Sequence, residues 1–257
     1  MSGKRDNRYR RRPWLVAFVC GIGIAALLVT ARAEPREKYG LVALWTFDGK
    51  TIQGNKVAPA FGDVEGDLVG APKVVDGVLD KALSFDGAVD YVQMLTDLFF
   101  PSVSMEAVIR PVLGTRNPIY DKYNYGIQLL DSDMVGVWIR DSAVQWPSAY
   151  TPWPRDGGWH HVVGVVEDQK NVRIYLDGKL MATGDAPNPI DVGYGAAVKP
   201  SIAYTRHLGG IWYEGEIDEV AIYDRALTDT EVARLYSLSL AVRPAGKLAL
   251  TWGSLKR

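Results

Sequence analysis

Short apolar runs that alternate with polar residues recur along most of this chain, separated by glycine, aspartate, asparagine and proline. The segment KNVRIYLDGK at 170–179 shows the pattern most clearly. Val172, Ile174 and Leu176 share one face of that strand, because successive side chains of a strand point to opposite faces. Asp177-Gly178 then supplies the positive φ of a tight hairpin. The pattern predicts an all-β antiparallel sandwich of two sheets rather than a βαβ fold. The predicted strands are 41–47, 82–85, 91–94, 103–109, 125–130, 135–140, 160–167, 172–176 and 217–223.

One segment near the end of the strand-rich region has a strong helical pattern. Thr228-Asp229-Thr230-Glu231 is a capping box, in which the threonine hydroxyl accepts from the third amide and Glu231 reaches back. Val232, Leu235 and Tyr236 follow at the spacing of a buried helical stripe. The sequence therefore predicts a single short C-terminal helix that closes one edge of the sandwich.

The N-terminal segment has the composition of a targeting signal. A basic stretch ending at Arg12 precedes an apolar run at 14–30, and Ala31-Arg32-Ala33 offers the small residues that a signal peptidase accepts. We therefore expect residues 1–33 to be a signal peptide. An uncleaved membrane anchor is the alternative, because the apolar run is at the short limit for crossing a bilayer.

Charge and cysteine content limit the partners of the remaining chain. Cys20 is the one cysteine, so a chain without residues 1–33 has no disulfide and no cysteine-ligated zinc. Those residues hold seven basic and one acidic side chain, and removing them from 29 and 30 leaves 22 against 29, a net charge near −7. An acidic domain is a poor partner for nucleic acid. We expect a secreted or extracytoplasmic protein that contacts membrane only through an uncleaved N-terminal segment.

Five stretches of the sequence keep an order and spacing that extends over residues 39–237. They are LVALWTFDG at 41–49, VDGVLDKALSFDGAVDYVQM at 75–94, SMEAVIRP at 104–111, GGWHHVVGVVEDQKNVRIYLDGKL at 157–180 and EGEIDEVAIYDRALTDTEVARLY at 214–236. Together they resemble the LamG-like jelly-roll family, a branch of the concanavalin A-like lectin and glucanase superfamily. The resemblance implies two curved antiparallel sheets that bind glycans or proteins, often with calcium and often without catalysis. We expect one such domain at 34–237 and a C-terminal strand or tail at 238–257.

The motif Glu216-Ile-Asp218-Glu219 raises the question of catalysis. Glucanases that share this fold carry two glutamates on one strand around an aspartate, since glycoside hydrolysis needs two carboxyl groups. Here the next two positions that could supply the second glutamate are Val220 and Ala221. Glu219 points to the opposite side of a regular strand, and we expect Glu216 and Glu219 to face solvent. The sequence therefore predicts a protein that is not an enzyme, with an atypical glycoside hydrolase as an alternative.

A structural calcium is the second reading of the same motif. The resemblance implies that Asp218 is a calcium ligand and that Asp48, after the first strand, is its partner. The loop at 62–67 could add further oxygen atoms, which suits the six to eight oxygen ligands that calcium prefers. The alternative is that Asp218 accepts hydrogen bonds from backbone amides at a corner of the sheet.

Two adjacent histidines invite a zinc or catalytic reading. His160 and His161 face opposite sides of a strand and cannot easily bind one ion together. The resemblance places Trp159 and His161 in a Trp-x-His core signature of the family. We expect both histidines to be structural.

Aromatic side chains in polar loops are the candidates for ligand binding, because aromatic rings cover the apolar C–H faces of sugars. The proline-rich segment 145–155 displays three of them, and two further groups lie near 120–124 and 206–213. Ordinary packing beneath a long loop is the alternative for each group. The predicted ligand-binding residues are Trp146, Tyr150, Trp153, Arg206 and Trp212.

These observations predict an exported, non-catalytic module that recognises a glycan or an extracellular protein and is stabilised by calcium. A structural or adhesive surface protein without a small-sugar site is the alternative from a different functional class.

Overall fold

The computed structural model describes residues 36–240. The predicted signal peptide and most of the predicted C-terminal strand or tail lie outside these residues. Within residues 36–240, no helix has the length and apolar character needed to cross a bilayer.

The described chain consists mainly of short strands. Residues 36–240 form nineteen strands, two 3₁₀ turns at Arg36–Tyr39 and His207–Gly209, and one helix, α1, at Asp229–Ser239. The strands are β1 Leu41–Trp45, β2 Ile52–Gln53, β3 Lys56–Val57, β4 Gly66–Val69, β5 Lys73–Asp76, β6 Lys81–Asp86, β7 Tyr91–Met94, β8 Val103–Pro111, β9 Asn117–Asp121, β10 Tyr125–Leu129, β11 Met134–Ile139, β12 Ser148–Pro152, β13 His160–Glu167, β14 Asn171–Leu176, β15 Lys179–Asp185, β16 Ser201–Ile202, β17 Tyr204–Thr205, β18 Ile211–Trp212 and β19 Glu214–Tyr223.

Two antiparallel sheets carry nearly all of these strands. The eight-stranded sheet has the order β15-β14-β13-β8-β19-β6-β5, with β1 also paired to β19. The nine-stranded sheet has the order β12-β11-β10-β9-β16-β7-β4-β3-β2, and β17 and β18 form a separate hairpin. The predicted two-sheet jelly-roll sandwich with one short C-terminal helix is confirmed.

The main hydrophobic core contains inward-facing residues of both sheets. Trp45 and Met105 from the eight-stranded sheet and Tyr125 and Val137 from the nine-stranded sheet are members of it, each without exposed surface. Burial of side chains of this size stabilises a fold by roughly 1.5–3 kcal/mol each. Because successive side chains of a strand point to opposite faces, the residues between these core positions of the nine-stranded sheet point away from the core.

A second apolar cluster fixes α1 against the outside of the eight-stranded sheet. Val232 and Leu235 of the helix are buried with Val163 and Tyr175 of that sheet. These contacts place the helix on the side of the eight-stranded sheet that faces away from the sandwich core.

The predicted capping box begins α1 as expected. Thr228 Oγ1 accepts from Glu231 N at 3.3 Å, and Glu231 Oε2 accepts from Thr228 N at 2.8 Å. The helix continues to Ser239. Ser239 Oγ accepts from Arg36 at 2.8 Å, which holds the last turn against the domain.

All nine predicted strands are present, with ends that shift by up to three residues. The clearest difference is β12, which lies in a segment expected to be an aromatic loop. Its sequence SAYTP has one proline and a single large apolar side chain, so the local pattern is weak. Pairing of Val135 with Thr151 and of Val137 with Ala149 creates the strand instead.

Candidate functional site

The outer face of the nine-stranded sheet carries two aromatic rings set close to its backbone. Gly126 is paired with Trp138 across β10 and β11, and Gly136 is paired with Tyr150 across β11 and β12. A Cβ atom on Gly126 would lie 3.2 Å from the Trp138 ring, and one on Gly136 would lie 2.1 Å from the Tyr150 ring. The two glycines therefore let both rings lie against the sheet.

Tyr150 is also held from the side. Gln128 Nε2 donates to the Tyr150 hydroxyl at 3.0 Å, on the same outer face of β10. Burial raises the pKa of the Tyr150 phenol, so the hydroxyl stays protonated at neutral pH. The ring remains partly exposed and offers a surface of fixed position.

A second set of rings gathers around His207 at one end of this face. His207 stacks on Tyr123 with ring centres 4.3 Å apart and meets Trp138 edge-on at 5.3 Å. Trp146 lies 5.6 Å from Trp138 and is 48% exposed. Tyr194 stacks on Tyr123 at 5.0 Å. These five side chains are called the histidine cluster below.

The segment 191–199 folds back over the sheet to complete this cluster. Lys122 is 1% exposed and donates from Nζ to the carbonyl oxygen of Val198 at 2.8 Å. Asn124 donates to the carbonyl oxygen of Asp191 at 3.1 Å, and Arg140 forms an ion pair with the Asp191 carboxylate. The segment is therefore anchored at both ends.

Charge at the cluster is set by burial. Burial lowers the pKa of His207, which favours a neutral imidazole at neutral pH. Burial likewise raises the pKa of Asp121 to about 7, although its carboxylate accepts from Tyr123 N at 2.7 Å. The Arg140 guanidinium lies 3.8 Å from the centre of the Tyr194 ring, a cation–π contact.

A third group of aromatic rings lies farther along the same face. Tyr91 stacks on Tyr204 with ring centres 4.6 Å apart, and Tyr204 lies 5.2 Å from Trp212. Arg206 Nη2 donates to Gln93 Oε1 at 3.1 Å beside them. A depression of about 300 Å³ adjoins this group. Its lining residues are Gln93, Ala197, Val198, Lys199 and Arg206.

Four of the five predicted ligand-binding residues belong to these groups. Trp146, Tyr150, Arg206 and Trp212 are each at least partly exposed there. Trp153 is the exception, because it is 5% exposed, belongs to the main core and meets His160 edge-on at 5.1 Å. Trp153 is therefore a packing residue, the alternative given above for the aromatic side chains. Several further side chains of the face have no local sequence signal. They are Tyr91, Gln93, Gln128, Trp138, Arg140, Tyr194 and Lys199.

The acidic motif has a geometry that a regular strand does not provide. The pairing of β19 with β8 shifts between Asp218 and Ala221, and Glu219 has a φ of +51°, which marks a β-bulge. Glu219 is buried and lies 3.4 Å from Arg36 in an ion pair, so the expectation that it faces solvent is wrong. Glu216 is partly exposed and forms an ion pair with Arg110.

Asp218 lies buried at a corner of the eight-stranded sheet. Its Oδ2 accepts from Val78 N at 2.9 Å and from Leu79 N at 3.4 Å, and its Oδ1 accepts from Glu219 N at 2.8 Å. Burial and the neighbouring Glu219 raise the pKa of Asp218 to about 8. The carboxylate therefore ties the turn after β5 to the bulge of β19.

Asp48, the other predicted metal ligand, holds the same turn from its far end. Its Oδ1 accepts from Lys81 N at 3.3 Å. The loop at 62–67 lines a separate depression of about 430 Å³ with Asp63 and Glu65. Among the described residues, no three His, Cys, Asp or Glu side chains are grouped as a ready ligand set.

The two histidines lie on opposite sides of β13. His160 Nδ1 is 2.8 Å from the Asp177 carboxylate and Nε2 is 3.0 Å from that of Asp156. His161 Nε2 is 2.9 Å from Glu106, a partner that the sequence reasoning did not identify. The contacts of both histidines are structural, which agrees with the expected role.

A family model of the laminin G type, described as the concanavalin A-like lectin/glucanases superfamily, matches residues 86–233, more than half of the chain. Human adhesion G-protein coupled receptor D1 is 26% identical over 122 residues, which are 47% of this chain and 13% of the receptor.

Several solved structures have a similar fold at low sequence identity. Domain 4 of AbnA, a GH43 extracellular arabinanase from Geobacillus stearothermophilus in complex with arabinotriose, is 21% identical with a TM-score of 0.59, over 76% of this chain and 98% of that domain. The binding domain of Paraclostridial Mosquitocidal Protein 1 is 16% identical with a TM-score of 0.60, over 77% and 52%. The binding domain of botulinum neurotoxin DC in complex with SialylT is 14% identical with a TM-score of 0.59, over 77% and 51%. The chain thus spans about half the length of the two toxin domains.

Proposed function

This chain belongs to the concanavalin A-like lectin/glucanase superfamily, and from that membership we propose that its domain is a non-catalytic module that binds a glycan on the outer face of the nine-stranded sheet. The observation that carries the proposal is the partly exposed Tyr150 ring set against Gly136, with the exposed Trp146 ring packed beside the buried Trp138 on the same face. Fixed aromatic rings stack on the apolar C–H faces of sugars with little loss of conformational entropy.

Polar groups beside the rings supply the rest of a sugar site. The side chains of Gln128, Arg140 and His207 border the aromatic surface. Amide and imidazole groups donate and accept hydrogen bonds, and a guanidinium group donates them, each in a fixed plane. A few placed polar groups around an apolar surface are the usual composition of a ligand site.

The relatives of the same fold support a glycan as ligand. The arabinanase domain was solved with arabinotriose and the neurotoxin binding domain with SialylT. Because their sequence identity to this chain is low, these structures support a shared fold only. The ligand of this chain is inferred from its own aromatic surface.

The placement of the acidic motif supports a module without catalysis. Hydrolysis of a glycosidic bond needs two carboxyl groups that flank it. Glu216 and Glu219 lie on β19 of the eight-stranded sheet. Glu216 forms an ion pair with Arg110, and Glu219 forms one with Arg36. The aromatic surface belongs to the other sheet, so a glycan bound there is distant from these acids.

We also propose that a structural calcium binds near Asp48 and Asp218. Both carboxylates contact the turn at 77–81, and oxygen atoms are the ligands that calcium prefers. A cation there would favour the ionised form of Asp218, whose pKa is raised by burial. A melting temperature that rises in calcium relative to chelator, and does so no longer in Asp218→Asn, supports this site; equal melting in both conditions contradicts it.

Export is proposed as well, with residues 1–33 removed. N-terminal sequencing of the protein from the producing cell's exterior should begin near Glu34. A protein retained in the membrane with residues 1–33 attached contradicts cleavage.

The main test is binding of purified residues 34–257 to a broad glycan array, in calcium and in chelator. We expect binding to at least one glycan class and a weaker signal for that class in Trp146→Ala. A blank array in both conditions contradicts the proposal and favours an extracellular protein partner. Exposed Val144, Trp146 and Val192 would then be the first residues to test.

A further inference from the structure

Two pairs of side chains run side by side on the face of the nine-stranded sheet, next to the segment 191–199. Tyr91 and Gln93 are two residues apart on β7, and Tyr204 and Arg206 are two residues apart along β17 and the turn after it. Tyr91 stacks on Tyr204, and Gln93 accepts from Arg206 at 3.1 Å. An aromatic stack is therefore placed directly beside a guanidinium group.

The guanidinium group of Arg206 keeps most of its hydrogen-bonding capacity. Its hydrogen bond is to the neutral oxygen of Gln93, and a guanidinium has five N–H donors. Gln93 is itself anchored, because its Nε2 donates to the carbonyl oxygen of Pro200 at 2.9 Å. Arg206 is thus held at one point, and its side chain is exposed.

Lys199 adds a second positive charge to the same depression. Lys199 and Arg206 both line the 300 Å³ hollow and both are exposed. Among the described residues, neither has a carboxylate within ion-pair distance. Asp67 is the residue opposite Gln93 on β4, and it forms an ion pair with Lys56. Two uncompensated cations therefore border one hollow of an acidic domain.

We propose that this hollow binds the anionic group of an acidic sugar, a carboxylate or a sulfate, while the sugar ring packs on the stack of Tyr91, Tyr204 and Trp212. The inference rests on the proposed glycan-binding function and adds the class of glycan. Arginine binds planar oxyanions through two parallel N–H donors, and lysine adds an adaptable point charge. An aromatic surface next to such a pair matches a ring that carries an acidic substituent.

The test is calorimetric titration of the purified protein with three oligosaccharides of similar length. Oligogalacturonate carries carboxylates, chondroitin sulfate oligosaccharide carries sulfates as well, and a galactan oligosaccharide is neutral. We expect Arg206→Gln with Lys199→Gln to weaken binding of at least one acidic oligosaccharide by about tenfold, the scale of a lost charge-assisted contact. Binding of the neutral oligosaccharide should change less than about twofold, because its contacts are uncharged.

The matched control removes two positive charges elsewhere. Lys73 and Lys179 are exposed on edge strands of the eight-stranded sheet, so Lys73→Gln with Lys179→Gln changes net charge equally without touching the hollow. The control should bind acidic oligosaccharides as the unaltered protein does. An equal loss in both double variants indicates long-range attraction only and overturns the proposal. Melting temperatures verify that all variants are folded.

The remaining outcomes separate this proposal from the general one. Binding of neutral galactan as tightly as the acidic oligosaccharides, with no effect of the double variant, overturns the acidic subsite and leaves the glycan-binding function in place. No binding of either acidic oligosaccharide also overturns the acidic subsite, whereas a blank glycan array is the result that overturns the general function. Comparison of oligogalacturonate with chondroitin sulfate tells whether the carboxylate or the sulfate is preferred.

Discussion

Nε2 of His161 lies 2.9 Å from Oε1 of Glu106, and both side chains are fully buried between the eight-stranded sheet and α1. The same carboxylate accepts from the Tyr223 hydroxyl at 2.5 Å and from Ser239 Oγ at 3.2 Å, and lies 3.4 Å from Arg36. Burial alone raises the pKa of Glu106, but Arg36, His161 and Tyr223 outweigh it and hold the pKa at about 2. One ionised carboxylate thus joins three strands to both ends of the described chain.

Replacing this carboxylate should destabilise the domain strongly. Glu106→Gln removes the charge opposite buried Arg36, and breaking a buried ion pair costs about 3–5 kcal/mol. Chemical denaturation at neutral pH measures the free energy of unfolding. Glu37→Gln, at an exposed position in the N-terminal turn, is the control and should change stability by less than about 0.5 kcal/mol. Similar stability of the two variants would contradict the central role of Glu106.

The contacts of His160 predict a pH-dependent contribution to stability. Hydrogen bonds, first to Asp177 and then to Asp156, raise the pKa of His160 above 6.5, so its contribution is full below that pH and is lost as pH rises through the folded pKa. The pKa of Asp177 is lowered despite burial, because His160 bonds it, so its contribution is lost as pH falls below 3.8.

His160→Gln should therefore lower the free energy of unfolding most between about pH 4 and 6.5, and less at pH 8.5. The pH-dependent part should be about 0.5 kcal/mol, since water screens partly exposed pairs. Thermal unfolding of both proteins across this pH range measures it. An unchanged difference between pH 5 and pH 8.5 would rule out the charged pair.

Two tryptophans seven residues apart should respond oppositely to truncation. Trp146→Ala removes an exposed ring and should leave the free energy of unfolding within about 1 kcal/mol, while weakening glycan binding by roughly 0.5–1.5 kcal/mol. Trp153→Ala opens the main core and should cost about 3–5 kcal/mol of stability. Denaturation and titration of the two variants test both statements. Reversal of this order would mean that the exposed ring is structural.

Gly136 is expected to be needed for the position of Tyr150. In Gly136→Ala the new Cβ would lie 2.1 Å from the Tyr150 ring and 2.4 Å from the carbonyl oxygen of Ala149, so the ring must move. We expect a loss of about 1–3 kcal/mol of stability and weaker glycan binding. Gly49→Ala, where no atom lies within 4 Å, is the control. Unchanged binding in the folded Gly136 variant would separate Tyr150 from the ligand surface.

The capping box should contribute measurably to α1. Thr228→Ala removes the oxygen that accepts from Glu231 N and should cost about 1 kcal/mol, whereas Thr230→Ala inside the first turn is the matched control. Thermal unfolding of the two variants provides the comparison. If Thr230→Ala lost as much stability as Thr228→Ala, the effect would come from the loss of a threonine in general and not from the cap.

The parts of the fold that local patterns determine were predictable from the sequence. The strands at 91–94 and 160–167 have the predicted ends, and a turn-forming aspartate borders each of them, Asp90 before the first and Asp168 after the second. The capping box likewise places the start of α1. The strand at 117–121 was missed because NPIYD contains a proline and few residues, and pairing with β10 and β16 stabilises it.

The candidate site was predictable only in part, for two physical reasons. Strand parity around β12 separates Tyr150 from Trp153, three residues later, but parity has meaning only once that strand is known. His207, Tyr194 and Tyr123 meet through loops that are distant in sequence, so no local pattern signals their contact. Glu219 was misplaced because a bulge changes its direction, and a single sequence of alternating residues does not reveal a bulge.

The bond from Arg36 to Ser239 has a mechanical consequence. Both residues lie beside Glu106 on the outside of the eight-stranded sheet, whereas the aromatic surface lies on the outside of the other sheet. Tension applied through residues 36 and 240 would act first on the contacts among Arg36, Glu106 and Ser239. The aromatic surface belongs to the other sheet and takes no part in these contacts, so it would face away from the loaded side.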